Sequence, residues 1–197
     1  MSQPSPEPNG QPRFWQHANL AVFLMQTLAT SIQVFIRGGF GARYLGLNAA
    51  AVLVVVPLFF AFKRVTDFGE IGFYLAMYLA MCCLHKQGIK NRLKRGEVWH
   101  SFYDGTPILQ RFFPRLRCSE VTFKRWFEPC LVIGAGLLWA ESNEPIGTYL
   151  MLCGASIACL THFYHVQEAT RLNDLNDTIL DQQSLAERLR ESRGGRF

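Results

Sequence analysis

The sequence lacks a cysteine pattern that would define a class of fold. The six cysteines are an adjacent pair and four separate residues: Cys82, Cys83, Cys118, Cys130, Cys153 and Cys159. Because no CxxC pair and no zinc-type spacing occurs among them, a disulfide framework and a zinc finger are excluded as organising features. Free cysteines usually behave as small apolar residues, and we expect this of all six.

The N-terminal tail, residues 1–17, lacks the features of a secretory signal. It contains four prolines, no basic stretch at its start and no small-residue cleavage site. A polar, proline-rich composition of this kind predicts a disordered tail. The first apolar run is therefore expected to stay in the mature protein.

Charge is missing from the middle of five apolar runs. These runs cover residues 18–36, 44–62, 70–84, 126–140 and 146–166. The strongly polar side chains away from the ends of these runs include Gln26, Gln33 and Asn48. Because pumps and ion-coupled transporters usually need a buried ionisable residue, this distribution disfavours both classes.

The length of the apolar runs predicts the fold class. Residues 44–62 form an uncharged stretch that would span about 28 Å as a helix, close to the thickness of a bilayer core. The sequence therefore predicts an all-α, polytopic integral membrane protein with a bundle of five transmembrane helices. It also predicts a basic cytoplasmic loop and a helical C-terminal tail.

The first run leaves an alternative open. Its polar residues recur at helical spacing and share one face: Asn19, Gln26, Thr30, Gln33 and Arg37. A spanning helix could turn this face toward its neighbours, where amide side chains find partners. An interfacial helix would also show one polar face, which gives four spans plus an interfacial N-terminal helix.

The middle of the chain, residues 86–127, is strongly basic. Its ten Lys and Arg against three acids give a net charge of +7, more than the +5 of the whole protein. Cations beside a span are retained in the cytoplasm, so this loop and the C-terminal tail, residues 167–197, are predicted to be cytoplasmic. The remaining predicted segments are a first helix group, residues 18–85, and a helical hairpin, residues 128–166.

The hairpin has an acidic tip and a face of small residues. The tip, residues 141–145, contains two glutamates and a proline and is expected on the far side of the membrane. Gly147, Gly154 and Ala158 share one face of the second hairpin helix, and small residues of this kind allow close helix packing. We therefore identify these three residues as a candidate packing site.

Two segments contain residues that could be mistaken for catalytic signatures. Residues 37–43 include three glycines and predict a tight turn; without a preceding strand or a following GK[ST], they do not match a phosphate loop. His100, Tyr103 and Asp104 lie with Ser101 in the loop. Adjacent residues cannot assemble a hydrolase triad by themselves, so a hydrogen-bonded turn or a partner-contact loop is expected there.

Histidines provide the one candidate metal site. His162 and His165 lie at i and i+3 with Glu168 one turn further, and His85 ends the third apolar run. In the predicted topology all three histidines lie near the cytoplasmic face, and neutral imidazole is a common ligand of zinc and haem iron. The residues His85, His162 and His165 are therefore the candidate ligands of an otherwise cofactor-free protein.

The tail shows a short heptad pattern. Its a and d positions are Leu172, Leu175, Ile179, Gln182, Ala186 and Leu189. Fewer than three heptads, with Gln and Ala among the six, are consistent with a coiled coil or with an amphipathic surface helix.

The leading functional hypothesis is a non-enzymatic membrane interaction or assembly subunit. Its expected partners are membrane lipid, a second copy of itself or other membrane proteins, and the basic loop would face those partners or anionic lipid. Nucleic acid is not an expected partner, since topology already explains the cations. The alternative is a metal- or haem-dependent membrane enzyme that uses the three histidines.

Overall fold

The computed structural model describes residues 13–65, 68–97, 101, 103–112 and 119–194. These residues are mostly helical. The helices are α1 (Arg13–Ile36), α2 (Leu47–Phe62), α3 (Phe68–Lys94), α4 (Ile108–Phe112), α5 (Glu120–Thr122), α6 (Glu128–Ala140) and α7 (Glu144–Gly194). Two short strands, β1 (Arg37–Gly38) and β2 (Thr106–Pro107), and a π-helical turn (Phe123–Phe127) complete the fold. The prediction of an all-α fold is thereby confirmed.

The five-span bundle is not confirmed. Among the described residues, two helical stretches are long and apolar enough to cross a membrane, His17–Ile36 and Glu144–Arg190. Helix α2 starts at Leu47 rather than at Tyr44, and its 16 residues extend about 24 Å. Helix α6 has 13 residues, or about 20 Å. Both are shorter than the roughly 30 Å hydrocarbon core of a typical bilayer.

The chain divides into two units, residues 1–160 and 161–197. In the first unit α1 is a central helix, because its second half is buried: Thr27, Ala29, Thr30, Ser31, Ile32, Gln33 and Val34. The second unit is helical as far as Gly194. Its side chains from His162 to Arg190 are exposed.

The polar residues of α1 hold neighbouring helices. The Asn48 amide donates to Gln26 Oε1 at 3.0 Å, and the Tyr44 hydroxyl donates to Gln33 Oε1. The Tyr74 hydroxyl of α3 donates to the Ser31 carbonyl at 2.8 Å, and that of Tyr149 in α7 donates to Ser31 Oγ at 2.6 Å. The polar stripe therefore faces the bundle along most of its length.

The glycine-rich segment pairs with a second stretch of the chain. Residues 37–43 pair with residues 101 and 103–107: Arg37 lies opposite Pro107, and Gly38 lies opposite Thr106. The pairing continues as Gly41 N–H donates to the Tyr103 carbonyl at 2.8 Å. Gly105 has a φ of +87°, and a Cβ there would lie 2.9 Å from the Gly38 carbonyl oxygen. We call this pair of segments the ribbon.

Two ends of the first unit can be distinguished. The ribbon follows α1 and marks one end. At the other end the α2–α3 connection meets the α6–α7 turn: Lys63 Nζ lies 3.3 Å from Glu144 Oε1, and Asn143 Nδ2 lies 3.5 Å from Glu70 Oε2. We refer to these as the ribbon end and the turn end.

Candidate functional site: a buried charge cluster at the ribbon end

Five charged residues meet at the ribbon end and form what we call the charge cluster. Each comes from a different position in the chain: Arg37 from β1, Asp104 from the ribbon, Glu120 from α5, Lys124 from the π-helical turn and Glu128 from the start of α6. Glu120, Lys124 and Glu128 follow at intervals of four residues. The helical segment that contains them therefore brings their side chains toward one side.

The Arg37–Glu128 ion pair is the buried centre of the cluster. Both side chains are 1% exposed. Nε of Arg37 donates to Glu128 Oε2 at 2.8 Å, and Nη2 donates to the same oxygen. Removing one member of such a pair is costly, because the other charge stays buried without compensation.

Asp104 links this pair to the second cation. Its Oδ2 accepts from Arg37 Nη1, and its Oδ1 accepts from Lys124 Nζ at 2.7 Å. Lys124 also lies 2.8 Å from Glu120 Oε1, which accepts a hydrogen bond from the Tyr103 hydroxyl. The Lys124 ammonium lies 4.8 Å from the centre of the Tyr103 ring, within cation–π range. The cluster thus joins α1, the ribbon and α6.

The ionisation of the cluster follows from these contacts. Burial alone would raise the pKa of Glu120, but hydrogen bonds from Lys124 and Tyr103 outweigh it and hold that pKa below its usual value. Burial and the Glu120 carboxylate raise the pKa of Tyr103. Burial opposes the charged form of Arg37, yet Glu128 and Asp104 raise its pKa above the usual value. Arg37 and Glu120 are therefore held in their charged forms, and Tyr103 keeps its hydroxyl proton.

The cluster contains three carboxylates and two cations. Within the part of the chain that the structure describes, Oε1 of Glu128 is a buried oxygen without a hydrogen-bond partner. All the described cluster groups otherwise contact one another. Ion pairs between residues so far apart in the chain fasten their segments together.

Of the contact residues identified from sequence, Asp104 is a member of the charge cluster and Tyr103 donates to its Glu120. Their neighbour His100 lies outside the described residues. Ser101 contributes its carbonyl, which accepts from Arg43 N–H at 2.9 Å in the ribbon. The ribbon therefore positions Tyr103 and Asp104 through its backbone pairing.

The candidate metal ligands belong to two different units of the chain. His85 Nε2 lies 2.8 Å from the Val34 carbonyl oxygen, and its ring packs edge-on against Phe40. His162 and His165 lie in the second unit and are exposed. Among the described residues, no group of three or more His, Cys, Asp or Glu could hold a metal ion. Binding of zinc or haem stays a prediction without structural support.

The small residues of α7 lie against α6. A Cβ on Gly147 would lie 2.6 Å from the Ala140 Cβ, and one on Gly154 would lie 2.6 Å from the Ile133 Cγ1. Gly136 of α6 is equally close to α7, since a Cβ there would lie 2.9 Å from the Gly147 carbonyl oxygen. Ala158 is partly buried. The contact at Gly147 and Gly154 is thus one within the chain.

No family model, curated protein or solved structure matches this chain. The function is therefore inferred from the arrangement of its own residues.

Four members of the cluster were not identified as site residues from sequence. In the sequence, Arg37 and Glu128 lie at the ends of apolar runs. Glu120 and Lys124 lie in the basic loop among many other charged residues. One local signal was present: Glu128 stands directly before Pro129 at the head of an apolar helix. A carboxylate entering an apolar segment needs a buried partner, and this requirement points to a cation elsewhere in the chain.

Proposed function

We propose that this chain is a non-enzymatic integral membrane subunit that presents a basic surface to partners or to anionic lipid. The observation that carries this proposal is the number of large apolar side chains that the first unit exposes around an apolar core. Large apolar side chains are exposed on its helices: Leu53, Val54, Leu58, Phe62, Phe73, Met77, Leu79, Leu84, Leu131, Leu137, Leu138 and Trp139. A water-soluble monomer rarely exposes contiguous apolar surface on this scale.

The interior of the same unit combines an apolar core with buried polar groups, of which Ser31 and Gln33 bond to tyrosines of other segments. Thr27, Thr30, Ser31, Gln33 and Ser156 are all buried. Hydroxyl and amide groups hold helices together in lipid, where apolar side chains gain nothing by facing inward. The combination of an apolar exterior with a hydrogen-bonded interior supports a bundle surrounded by acyl chains.

The basic surface lies near the ribbon end. Lys86, Lys90 and Lys94 follow one another at intervals of four residues on α3 and are exposed, so they share one helical face. Arg92, on the same helix, donates to the Gly39 carbonyl at 3.3 Å and ties this part of α3 to the ribbon. Each cation near an anionic leaflet contributes about 1 kcal/mol of attraction.

The charge cluster supports a structural role for the neighbouring segment. By pairing Arg37 with Asp104 and Glu128, it fixes the ribbon and the start of α6 to the end of α1. The side chains of Asp104, Lys124 and Glu128, which could otherwise act as acids or bases, are engaged in these ion pairs. We therefore assign the cluster to assembly of the ribbon end rather than to catalysis.

Topology follows from the cation bias. With the basic ribbon end and the tail in the cytoplasm, the turn end lies on the far side. The two ends are separated by the lengths of α6 and α7, which run between Glu128 and the 141–143 turn and back. In this arrangement α1, α2, α3, α6 and α7 all cross the membrane. The bilayer thins around the short helices, or the side chains that flank them extend to the membrane surface.

Cysteine labelling in intact cells tests this topology. Ser119 and Ser142 are both exposed, so a cysteine at either position is accessible to a reagent that reaches its side of the membrane. In a background without the six native cysteines, a membrane-impermeant maleimide should label Ser142→Cys from outside. Ser119→Cys should be labelled only after the cells are opened.

The cysteine-free protein without either serine substitution is the control, because any label that it takes up is on groups other than the introduced cysteines. Equal labelling of both variants from outside would contradict the topology. Recovery of the chain in the soluble fraction after alkaline extraction would contradict membrane integration itself.

A further inference from the structure

A groove opens at the turn end, between the start of α3 and the α6–α7 turn. Its volume is about 590 Å³, and its lining includes Glu70, Phe73, Trp139, Ser142, Asn143 and Ile146. Ligand sites in proteins commonly have this size and combine apolar walls with a few polar groups. The groove therefore has the volume and the lining of a site for a small molecule or a lipid headgroup.

The apolar wall of the groove continues along the side of the bundle. Phe73 and Trp139 are 70% and 56% exposed. Met77 lies one turn further along α3 on the same face as Phe73 and is also exposed. Tryptophan side chains of this kind are enriched at the surface of a bilayer. An acyl chain could thus lie along Phe73 and Met77 while its headgroup stays in the groove.

Glu70 gives the groove an excess negative charge. Its Oε2 accepts a long hydrogen bond, 3.5 Å, from Asn143 Nδ2, and no Lys or Arg in the described part of the chain forms an ion pair with it. Nearby, Glu144 is paired with Lys63. An ammonium group in the groove would find the Glu70 carboxylate as a counter-charge and the exposed Trp139 ring as a cation–π partner.

Other groups of the same groove suit an anion. Glu70 and Ile146 are each the third residue of a helix, so the starts of α3 and α7 both lie at the groove. The N-terminus of a helix carries a partial positive charge. The Ser142 side chain, also in the lining, is exposed and has a hydroxyl that can donate a hydrogen bond. The groove therefore offers sites for both signs of charge side by side.

We propose that this groove binds the headgroup of a zwitterionic phospholipid, with the ammonium at Glu70 and Trp139 and the phosphate at Ser142 and the helix starts. The proposal rests on the membrane assignment, because only an integrated chain places the groove at a lipid surface. A cationic amphiphile would leave Ser142 and the helix starts unmatched. An anionic lipid would be repelled by Glu70, and it is better matched by the basic surface near the ribbon end.

Photocrosslinking of the full chain tests the site. The purified protein, in a neutral maltoside detergent, is irradiated with phosphatidylethanolamine that carries a diazirine close to its headgroup, and the adducts are mapped by mass spectrometry. We expect adducts concentrated in peptides that contain residues 69–77 and 139–146. Excess unlabelled phosphatidylethanolamine should suppress them. Equal amounts of phosphatidylglycerol, which lacks the ammonium, or of an alkyltrimethylammonium amphiphile, which lacks the phosphate, should suppress them much less.

A matched pair of substitutions tests the role of Glu70. Glu70→Gln keeps the size of the side chain and removes its charge, and it should lower the adduct yield in the groove about tenfold. Glu141→Gln removes an exposed carboxylate of the adjoining turn and should leave the yield within about twofold. Both side chains are exposed, so the unfolding temperature without added lipid should stay close to that of the parent for each variant.

The possible results separate this proposal from the membrane assignment. Adducts spread evenly over the apolar surface, or equal yields for Glu70→Gln and Glu141→Gln, would overturn the headgroup site. Equal suppression by phosphatidylglycerol or by the cationic amphiphile would overturn the zwitterionic ligand. All of these results are compatible with a membrane-integrated chain. A chain that alkaline extraction releases into the soluble fraction would instead overturn the membrane assignment, and the lipid site with it.

Discussion

Replacing Arg37 with Ala is expected to cost about 3–5 kcal/mol of stability, because it leaves the Glu128 carboxylate buried without its counter-charge. Glu128 is 1% exposed and receives two hydrogen bonds from Arg37. A loss of this size is a large part of the stability of a typical domain. We expect the variant to be recovered mainly as aggregate, and any folded fraction in detergent to unfold at a much lower temperature than the parent.

Two further variants identify the cause. Lys90 is an exposed cation on α3, and Lys90→Ala should change the unfolding temperature little. The double variant Arg37→Met with Glu128→Met should recover much of the lost stability, since a buried ion pair can be replaced by apolar groups at small net cost. Normal unfolding of Arg37→Ala would show that the Arg37–Glu128 pair does not hold the ribbon end together.

Replacing Gly154 with Leu is expected to open the α6–α7 hairpin. A Cβ at this position would already lie 2.6 Å from Ile133 Cγ1 and 3.0 Å from the Ile133 backbone nitrogen. A full side chain must therefore push the two helices apart. We expect a loss of about 3 kcal/mol or more, somewhat above the usual cost of overpacking because backbone as well as side chains must move. Gly147→Leu should act in the same way against Ala140.

Gly134 provides the matched control. It lies in α6, and a Cβ there would meet no described atom within 4 Å. Gly134→Leu should leave the unfolding temperature in detergent close to that of the parent or raise it slightly, since Leu is the better helix former. Equal effects of Gly134→Leu and Gly154→Leu would contradict close packing as the cause.

Local patterns predicted much of the helical framework. Helix α3 contains the third apolar run and continues beyond it to Lys94, into residues predicted as a loop. The α6–α7 turn falls within the predicted tip at residues 141–145. The polar stripe of α1 is turned toward its neighbours, with Gln26 bonded to Asn48 and Gln33 bonded to Tyr44. These features depend on residues near one another in the chain, so periodicity alone is enough to find them.

The ribbon and the charge cluster depend on residues far apart. Arg37 lies 67 residues from Asp104 and 91 residues from Glu128, and no local spacing in one sequence specifies those pairings. Two helix starts were also predicted at the wrong residues, because neighbouring segments take up the residues before them. Helix α2 starts only at Leu47 because the preceding residues join the ribbon and a turn. Helix α6 starts only at Glu128 because a π-helical turn, Phe123–Phe127, lies between it and α5.

The central claim is that the exposed apolar side chains of the first unit face lipid. Leu58 of α2 and Leu138 of α6 are 67% and 78% exposed, and each could carry a nitroxide through a single introduced cysteine. In reconstituted bilayers, electron paramagnetic resonance would compare collisions of each nitroxide with oxygen, which concentrates in lipid, and with a water-soluble nickel chelate. A nitroxide at the exposed Ser119 is the aqueous reference. We predict high oxygen and low nickel accessibility at Leu58 and Leu138, and the reverse at Ser119. Nickel accessibility at Leu58 and Leu138 as high as that at Ser119 would contradict the claim.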